Sequence, residues 1–330
     1  MKKSLKSYFP MIRSKEEIRL IIRGNLRLEE LFQSWTLEQQ EEFLDFCSGN
    51  RGVKILYDSF FKEILNPEIS PERLNELLSL ILGQQVKILQ VLPNDSTRIA
   101  DESSLVIMDI VVELEDHSIA NVEVQKIGYR FSGHRSACYS ADLLLRQYKR
   151  IRGERGRAFS YRDIHKVYTI VFFEKSPKEF RRYKEGCIHH FTQVSDTGVK
   201  LDLLQEFCFV SLDIFQELLH NKGIRNKLDA WLTFLSVDDP ETIEALLDQY
   251  PEFRKFYQEI YELCRNVERV MGMFSEELRE LDRNTVQLMI DEMQEEIDAL
   301  KKEREEAKQE AAELKKKLAA YEKASENGQG

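Results

Sequence analysis

At 330 residues the chain is long enough for one sizeable core with accessory elements, and a 32% charged fraction suits a water-facing globular surface. A formal net charge of −10 argues against nucleic-acid binding through the overall field, and no apolar run reaches the roughly 20 residues of a membrane helix. The five scattered cysteines, Cys47, Cys138, Cys187, Cys208 and Cys264, offer no C-x-x-C pair for zinc or redox chemistry and read as buried small hydrophobes.

The opening MKKSLKSYFPMIRSKEEI has early lysines but no apolar h-region, so a cytoplasmic protein is expected. Ser14 with Glu17, and Thr36 with Gln39, have capping-box spacing and predict two helices whose stripes are Ile18, Leu20, Ile21 and then Phe43, Leu44, Phe46. A third helix is predicted over Val53–Leu65, with Leu56, Phe60 and Ile64 on one face, Asp58 on the polar side, and Pro67 ending it. Ser70-Pro71-Glu72 starts a fourth helix, Gly83 lies near its end, and VKILQVL follows as a first strand stopped at Pro93.

The stretch Ser103–Ile127, SSLVIMDIVVELEDHSIANVEVQKI, reads as two strands joined by a polar turn at Glu115, Asp116, His117 and Ser118. Asp109 interrupts the first arm, where an ionised carboxylate needs a cation or several donors to compensate its desolvation. In the second arm Asn121, Glu123 and Gln125 share one face, while Val122, Val124 and Lys126 take the other. Two carboxylates and an amide thus gather on a short hairpin. Hard oxygen ligands of this kind suit Mg²⁺ or Mn²⁺ better than zinc. A two-residue turn at Asp116-His117 would set Asp109 opposite Val124 and split the carboxylates between faces. A three-residue loop or a bulge restores the parity, so one of these is predicted.

Gly128 to Gly133 reads as a connection to a helix over His134–Ile151, on which Arg135, Tyr139, Asp142 and Arg146 share a side. Arg152 to Arg157 reads as a flexible basic loop, Val167–Phe173 as a buried strand, and Ser176-Pro177-Lys178-Glu179 as the start of another helix. Between Arg146 and Lys184 thirteen Lys or Arg face only Glu154, Asp163, Glu174 and Glu179, a local patch able to neutralise phosphates. Within it Arg146, Lys149, Arg150, Arg152, Arg155 and Arg157 are the candidate DNA contacts; a solvated helix face is the alternative. His189 and His190 are adjacent and cannot face one site together. Helices are expected over Leu212–Leu235, Pro240–Tyr250 and Phe253–Cys264. Finally Ile290, Met293, Ile297, Leu300, Arg304, Ala307, Ala311, Leu314, Leu318 and Tyr321 alternate steps of three and four, the seam of a coiled coil suited to a homo-oligomer, with a solitary helix as the alternative.

The pieces VKILYDSFFKEIL, LPNDSTRIADESSLVIMDIVVELED, IANVEVQKIGY, GHRSACYSADLLLRQYKR and KVYTIVFFEKSP, spanning about Gly52 to Ser176, together resemble the PD-(D/E)XK nuclease family transposases, relatives of recombination-promoting nucleases. Asp109 followed by Glu123-Val124-Gln125 matches the family signature, with glutamine in the place of the usual lysine. SWTLEQQEEFLDFC, LDAWLTFLSVDDPE and the terminal coil also resemble longer members.

The resemblance implies an α/β, restriction-endonuclease-like core with a small mixed sheet in α-β-β-β-α-β order, and divides the chain into an N-terminal helical region (1–52), the nuclease-like core (53–176), a helical region (177–274), the coiled coil (275–323) and a tail (324–330). It further implies Mg²⁺ or Mn²⁺ held by Asp109, Glu123 and the Val124 carbonyl, with Gln125 orienting water and Arg135 and Tyr139 beside the metal. Asp58, in the segment DSFFK, orients metal or substrate, or is a surface aspartate. The resulting expectation is a metal-dependent DNA endonuclease. Its rivals are an inactive nuclease-fold protein binding nucleic acid or a partner through the basic segment and coil, and a purely structural coiled-coil adaptor.

Overall fold

The computed structural model describes residues 4–93, 109–127 and 133–282, together with helical residues 293, 294, 297, 300–305, 307 and 308. Residues 103–108 of the first predicted arm, 128–132 of the connection, the seam positions Ile290, Ala311, Leu314, Leu318 and Tyr321, and the tail lie outside them.

Both capping boxes form, at the starts of α1 (Lys15–Arg23) and α3 (Leu37–Cys47): Ser14 and Thr36 accept from the backbone N–H groups of Glu17 and Gln39, whose side chains answer back. Each such cap is worth about 1 kcal/mol. Between them α2 (Leu26–Gln33) is capped by Asn25. Ile18 and Ile22, four apart, form the buried stripe of α1, so Leu20, expected in it, is 67% exposed on the far side. α4 (Asp58–Ile64) is shorter than expected, because extended backbone at Tyr57 delays its start. α5 (Pro71–Leu82) begins on its proline and ends on Gly83, whose φ of 65° is the left-handed conformation that glycine adopts without strain.

Six strands follow: β1 (Ile88–Val91), β2 (Ile110–Leu114), β3 (Ile119–Ile127), β4 (Val167–Lys175), β5 (Ile188–Phe191) and β6 (Gln205–Ser211), in the spatial order β1-β2-β3-β4-β6-β5. β3, β4 and β6 run parallel, and the remaining neighbours pair antiparallel. The crossover from β3 to β4 is α6 (Gly133–Arg155). The order α5-β1-β2-β3-α6-β4 is the expected one. β5 and β6 extend the sheet past residue 176 and were not anticipated from the sequence.

Three other expectations are corrected. The basic run after Arg152 is not a loop throughout: α6 continues to Arg155 and a 3₁₀ turn covers Gly156–Ala158. The helix expected after Ser176 is only the 3₁₀ turn Phe180–Arg182. Gly223, at φ 65°, divides the stretch 212–235 into α7 (Leu212–Lys222) and α8 (Lys227–Ser236). α9 (Pro240–Gln249), α10 (Phe253–Cys264) and α11 (residues 267–282) complete the described helical segments up to 282.

The sheet separates two cores. On one face α6 sets Tyr139 and Leu143 against Val111, Ile119, Val167, Val171, Phe173 and Phe209. On the other, Phe61 of α4 meets Phe172 of β4, with ring centroids 6.4 Å apart. Cys47, Cys208 and Cys264 are buried as expected, whereas Cys138 is exposed and Cys187 half-buried. Among the described residues no helix is long and apolar enough to cross a membrane. Residues from 278 onward belong to a second compact unit, in which the seam residues Met293, Ile297 and Leu300 are helical and 53%, 46% and 57% exposed.

Candidate active site

The β2–β3 hairpin closes through a three-residue loop. The Leu114 N–H donates to the Ser118 carbonyl and the His117 N–H to the Leu114 carbonyl, both at 2.8 Å, leaving Glu115, Asp116 and His117 as the turn. His117 sits at φ 64°, the left-handed position that ends a three-residue loop. The register runs from Glu113 opposite Ile119 to Ile110 opposite Val122. Its next step sets Asp109 opposite Glu123, so the parity that the paired carboxylates require is present.

Asp109 lies at the entrance to β2, and its groups tie together both sides of the sheet. Its Oδ2 accepts the Val124 N–H at 2.8 Å, its own N–H donates to Glu123 Oε1 at 3.3 Å, and its Oδ1 lies 3.3 Å from Lys62 Nζ. By the alternation of an antiparallel ladder, the Val124 carbonyl points to the same strand edge as its N–H, towards Asp109. Glu123 is 1% exposed. Burial, then the nearby Asp109 charge, push Glu123 up to about 8, and Arg135 only partly offsets them. Burial also pushes Asp109 up to about 6, Lys62 opposing this and Asp58 adding to it. Asn121, fully buried beside Glu123 on the same face, makes no hydrogen bond of good geometry among the described residues, yet its amide lies near enough to favour the ionised glutamate.

Sequence comparison identifies the surrounding fold. The family model described as PD-(D/E)XK nuclease family transposase matches residues 55–292, well over half of the chain. The chain belongs to this family. No curated protein and no solved structure matches it. Membership places the hairpin, α6 and β4 within a nuclease-type fold of transposase relatives and covers each sequence-predicted site residue.

Among the described residues no three His, Cys, Asp or Glu side chains converge on one point, so no zinc-type cage is built. A magnesium ion asks for less: one or two carboxylates, with water and phosphate completing its shell. The paired Asp109 and Glu123 fit that demand. A carboxylate pair pushed up by desolvation and, at Glu123, by the neighbouring Asp109 charge is relieved by a divalent cation as it is by a proton.

The other predicted residues fall into two groups. At the start of α6 Arg135 donates from Nε and Nη2 to the Tyr139 hydroxyl, at 2.9 and 2.6 Å, and its charge is felt at Glu123, so this pair does stand beside the carboxylates. Gln125 projects on the Glu123 face one pleat further along, and Lys126 turns to the opposite face, where it pairs with the buried Glu277 and lies 5.1 Å from the Tyr57 ring centroid. Asp58 reaches the site through Lys62, whose Nζ it holds at 2.9 Å.

The basic residues divide differently. Arg146 bonds Asp142 and the Pro93 carbonyl, and Arg150 bonds the buried Glu113, so both serve the scaffold. Arg155 pairs with Asp163 and Arg152 donates to the Tyr148 hydroxyl, yet these two, Lys149 and Arg157 are exposed. At 1.5 Å per residue Lys149, Arg152 and Arg155 lie roughly 20–30 Å along α6 from Arg135, a distance that some six to nine base pairs of duplex would span, and Arg157 follows in the next turn.

Sequence reasoning missed Lys62. It quoted the segment DSFFK for its aspartate alone. The available signal was the i,i+4 spacing of Asp58 and Lys62, which places both on one helix face.

Proposed function

We propose that the chain is a divalent-metal-dependent DNA endonuclease. The observation that carries this reading is the register that sets the buried Glu123 and the partly buried Asp109, two mutually repelling carboxylates, together at the entrance to β2. Asp109, Glu123 and the Val124 carbonyl would hold Mg²⁺ or Mn²⁺, and such an ion, when bound, polarises a phosphodiester and acidifies a water. Gln125 accepts from or donates to that water and orients it, but brings no charge. Arg135, fixed by the Tyr139 hydroxyl, presents a guanidinium able to grip a phosphate. Lys149, Arg152, Arg155 and Arg157 follow the DNA backbone away from the cut. The exposed seam of Met293, Ile297 and Leu300 supports self-association through the C-terminal helix.

Neutral Gln125 favours the rival reading, an inactive nuclease-fold binding protein. Nicking of supercoiled plasmid with Mg²⁺, Mn²⁺ or no metal separates the two. Metal-dependent nicking by the wild type, lost in Asp109→Ala and Glu123→Ala, is the expected result. A silent wild type, or variants that cut equally well, would leave the binding module standing.

A further inference from the structure

The site has a charge deficit that its own strand does not fill. Position 125 is neutral, Lys126 is turned to the far face of the sheet and paired with Glu277, and Arg135 stands on the Glu123 side, bonded to Tyr139. Against these cations stand Asp58, Asp109 and Glu123. A phosphodiester entering the site would add further negative charge, and more would develop on its oxygens as the bond to the leaving group breaks.

Lys62 approaches from a different element. α4 is seated by the buried Phe60, Phe61 and Ile64, and its first residue is held from behind by Glu277, which accepts the Asp58 N–H at 3.1 Å. One turn later Lys62 reaches the entrance to β2, with its ammonium 2.9 Å from Asp58 and 3.3 Å from Asp109 Oδ1. Its side chain is 35% exposed, so the ammonium is not sealed in the core. Among the described residues it is the ammonium in contact with Asp109.

We propose that Lys62 is the phosphate-facing cation of this site, replacing from helix α4 the charge that Gln125 lacks on strand β3. Asp58 is its positioning residue. With Asp109 engaged by a metal ion, Asp58 would still hold the ammonium beside the site and keep it from competing for the same carboxylate. In the hydrolysis water adds hydroxide to phosphorus, the bridging oxygen leaves with the electron pair of its bond, and the proton from water balances it. Lys62 offsets the charge on the non-bridging oxygens throughout.

This inference rests on the metal-nuclease reading, and its test keeps the two apart. Plasmid nicking and Mn²⁺ binding by calorimetry are measured on full-length wild type, Lys62→Ala, Gln125→Lys and the double variant Lys62→Ala/Gln125→Lys. Lys62→Ala is expected to lose roughly 100-fold in nicking rate, as on removal of one charge-stabilising donor, while binding Mn²⁺ at least as tightly as the wild type. The double variant, with lysine restored one pleat beyond Glu123, is expected to recover at least tenfold over Lys62→Ala. A lysine that merely pairs with Asp58 would not be rescued from another strand. Nicking by Lys62→Ala at the wild-type rate, Mn²⁺ binding lost together with activity, or a double variant no faster than the single one would each overturn the proposal and leave the nuclease reading intact. A wild type that never cuts would overturn both.

Discussion

Two buried glutamates stand on the same face of one hairpin and have opposite fates. Glu113, 3% exposed near the turn, accepts from Gln90 at 2.6 Å, from Arg150 at 2.8 Å, and meets His117 Nδ1 at 2.9 Å. Burial opposes its charge, but these three partners outweigh it and hold the carboxyl below the ordinary glutamate range. Glu123, 1% exposed near the open end, has the Asp109 N–H at 3.3 Å and a second carboxylate beside it, and is pushed up to about 8. One carboxylate is a satisfied strut. The other has fewer partners among the described residues, and an unmet demand for positive charge in a buried position points to function more sharply than burial does.

The largest separation between them should come from chemistry. Asp109→Ala and Glu123→Ala are expected to depress metal-dependent nicking by on the order of 1000-fold or more, because each would remove a proposed metal ligand. Glu113→Gln should stay within about threefold of wild type in the same plasmid assay. A Glu113 variant as inactive as the Glu123 variant would erase the distinction.

Stability should sort them the other way. Glu113→Ala strips three donors of their acceptor and should cost about 2–3 kcal/mol, with Arg150, a third exposed, regaining some hydration. Glu123→Gln relieves a buried repulsion and should stabilise the metal-free protein by about 1–2 kcal/mol at pH 8–9, read by chemical denaturation. The pH dependence follows the same signs. Asp109 and Glu123 bind protons more tightly folded than unfolded, so their contribution is complete below the ordinary carboxylate range and is lost as pH rises through about 6 and about 8. Thermal melts without metal should therefore decline from pH 5 to pH 9, and added Mg²⁺ should raise the midpoint more at pH 9 than at pH 6. Glu113, shifted down, contributes above the ordinary glutamate range and loses that contribution as the solution becomes more acidic.

A smaller effect is expected at the mouth of the site. Arg135→Ala should slow nicking about tenfold through loss of a guanidinium contact, while Tyr139→Phe, which only frees that guanidinium to move, should cost about threefold. The smallest concerns the basic segment. Arg152→Gln and Arg157→Gln should each lower the salt dependence of DNA binding by about one unit of log–log slope, whereas Arg150→Gln should act on melting temperature instead. Equal salt slopes for all three would return Arg150 to the DNA-binding set.

Much of this was legible in the chain because the signals are local. Hydroxyl and carboxyl at capping-box spacing define the starts of α1 and α3, and β-branched alternation defines the two arms around Asp116. Parity alone required an odd loop, which the left-handed His117 supplies. β5 and β6 were missed because IHHF and QEFCFVS are short, and both owe their conformation to partners, with Val167–Phe173 alongside Gln205–Ser211 and Ile188–Phe191 on the outer edge. The scaffold role of Arg150 was equally hidden, since its partner Glu113 lies 37 residues away.

By itself, then, the sequence determined the hairpin, the facing carboxylates, the crossover helix with its Arg135–Tyr139 step, and the family to which they belong. Alternation, capping and i,i+4 spacing operate within a few residues and leave a readable pattern. Only the tertiary structure decided which charges meet: Lys62 with Asp109, 47 positions further on, Lys126 with Glu277, and Arg150 with Glu113. Charge compensation is a property of distance in space. Residues far apart in the chain acquire it only when packing has fixed the sheet and seated α4 and α6 on its two faces.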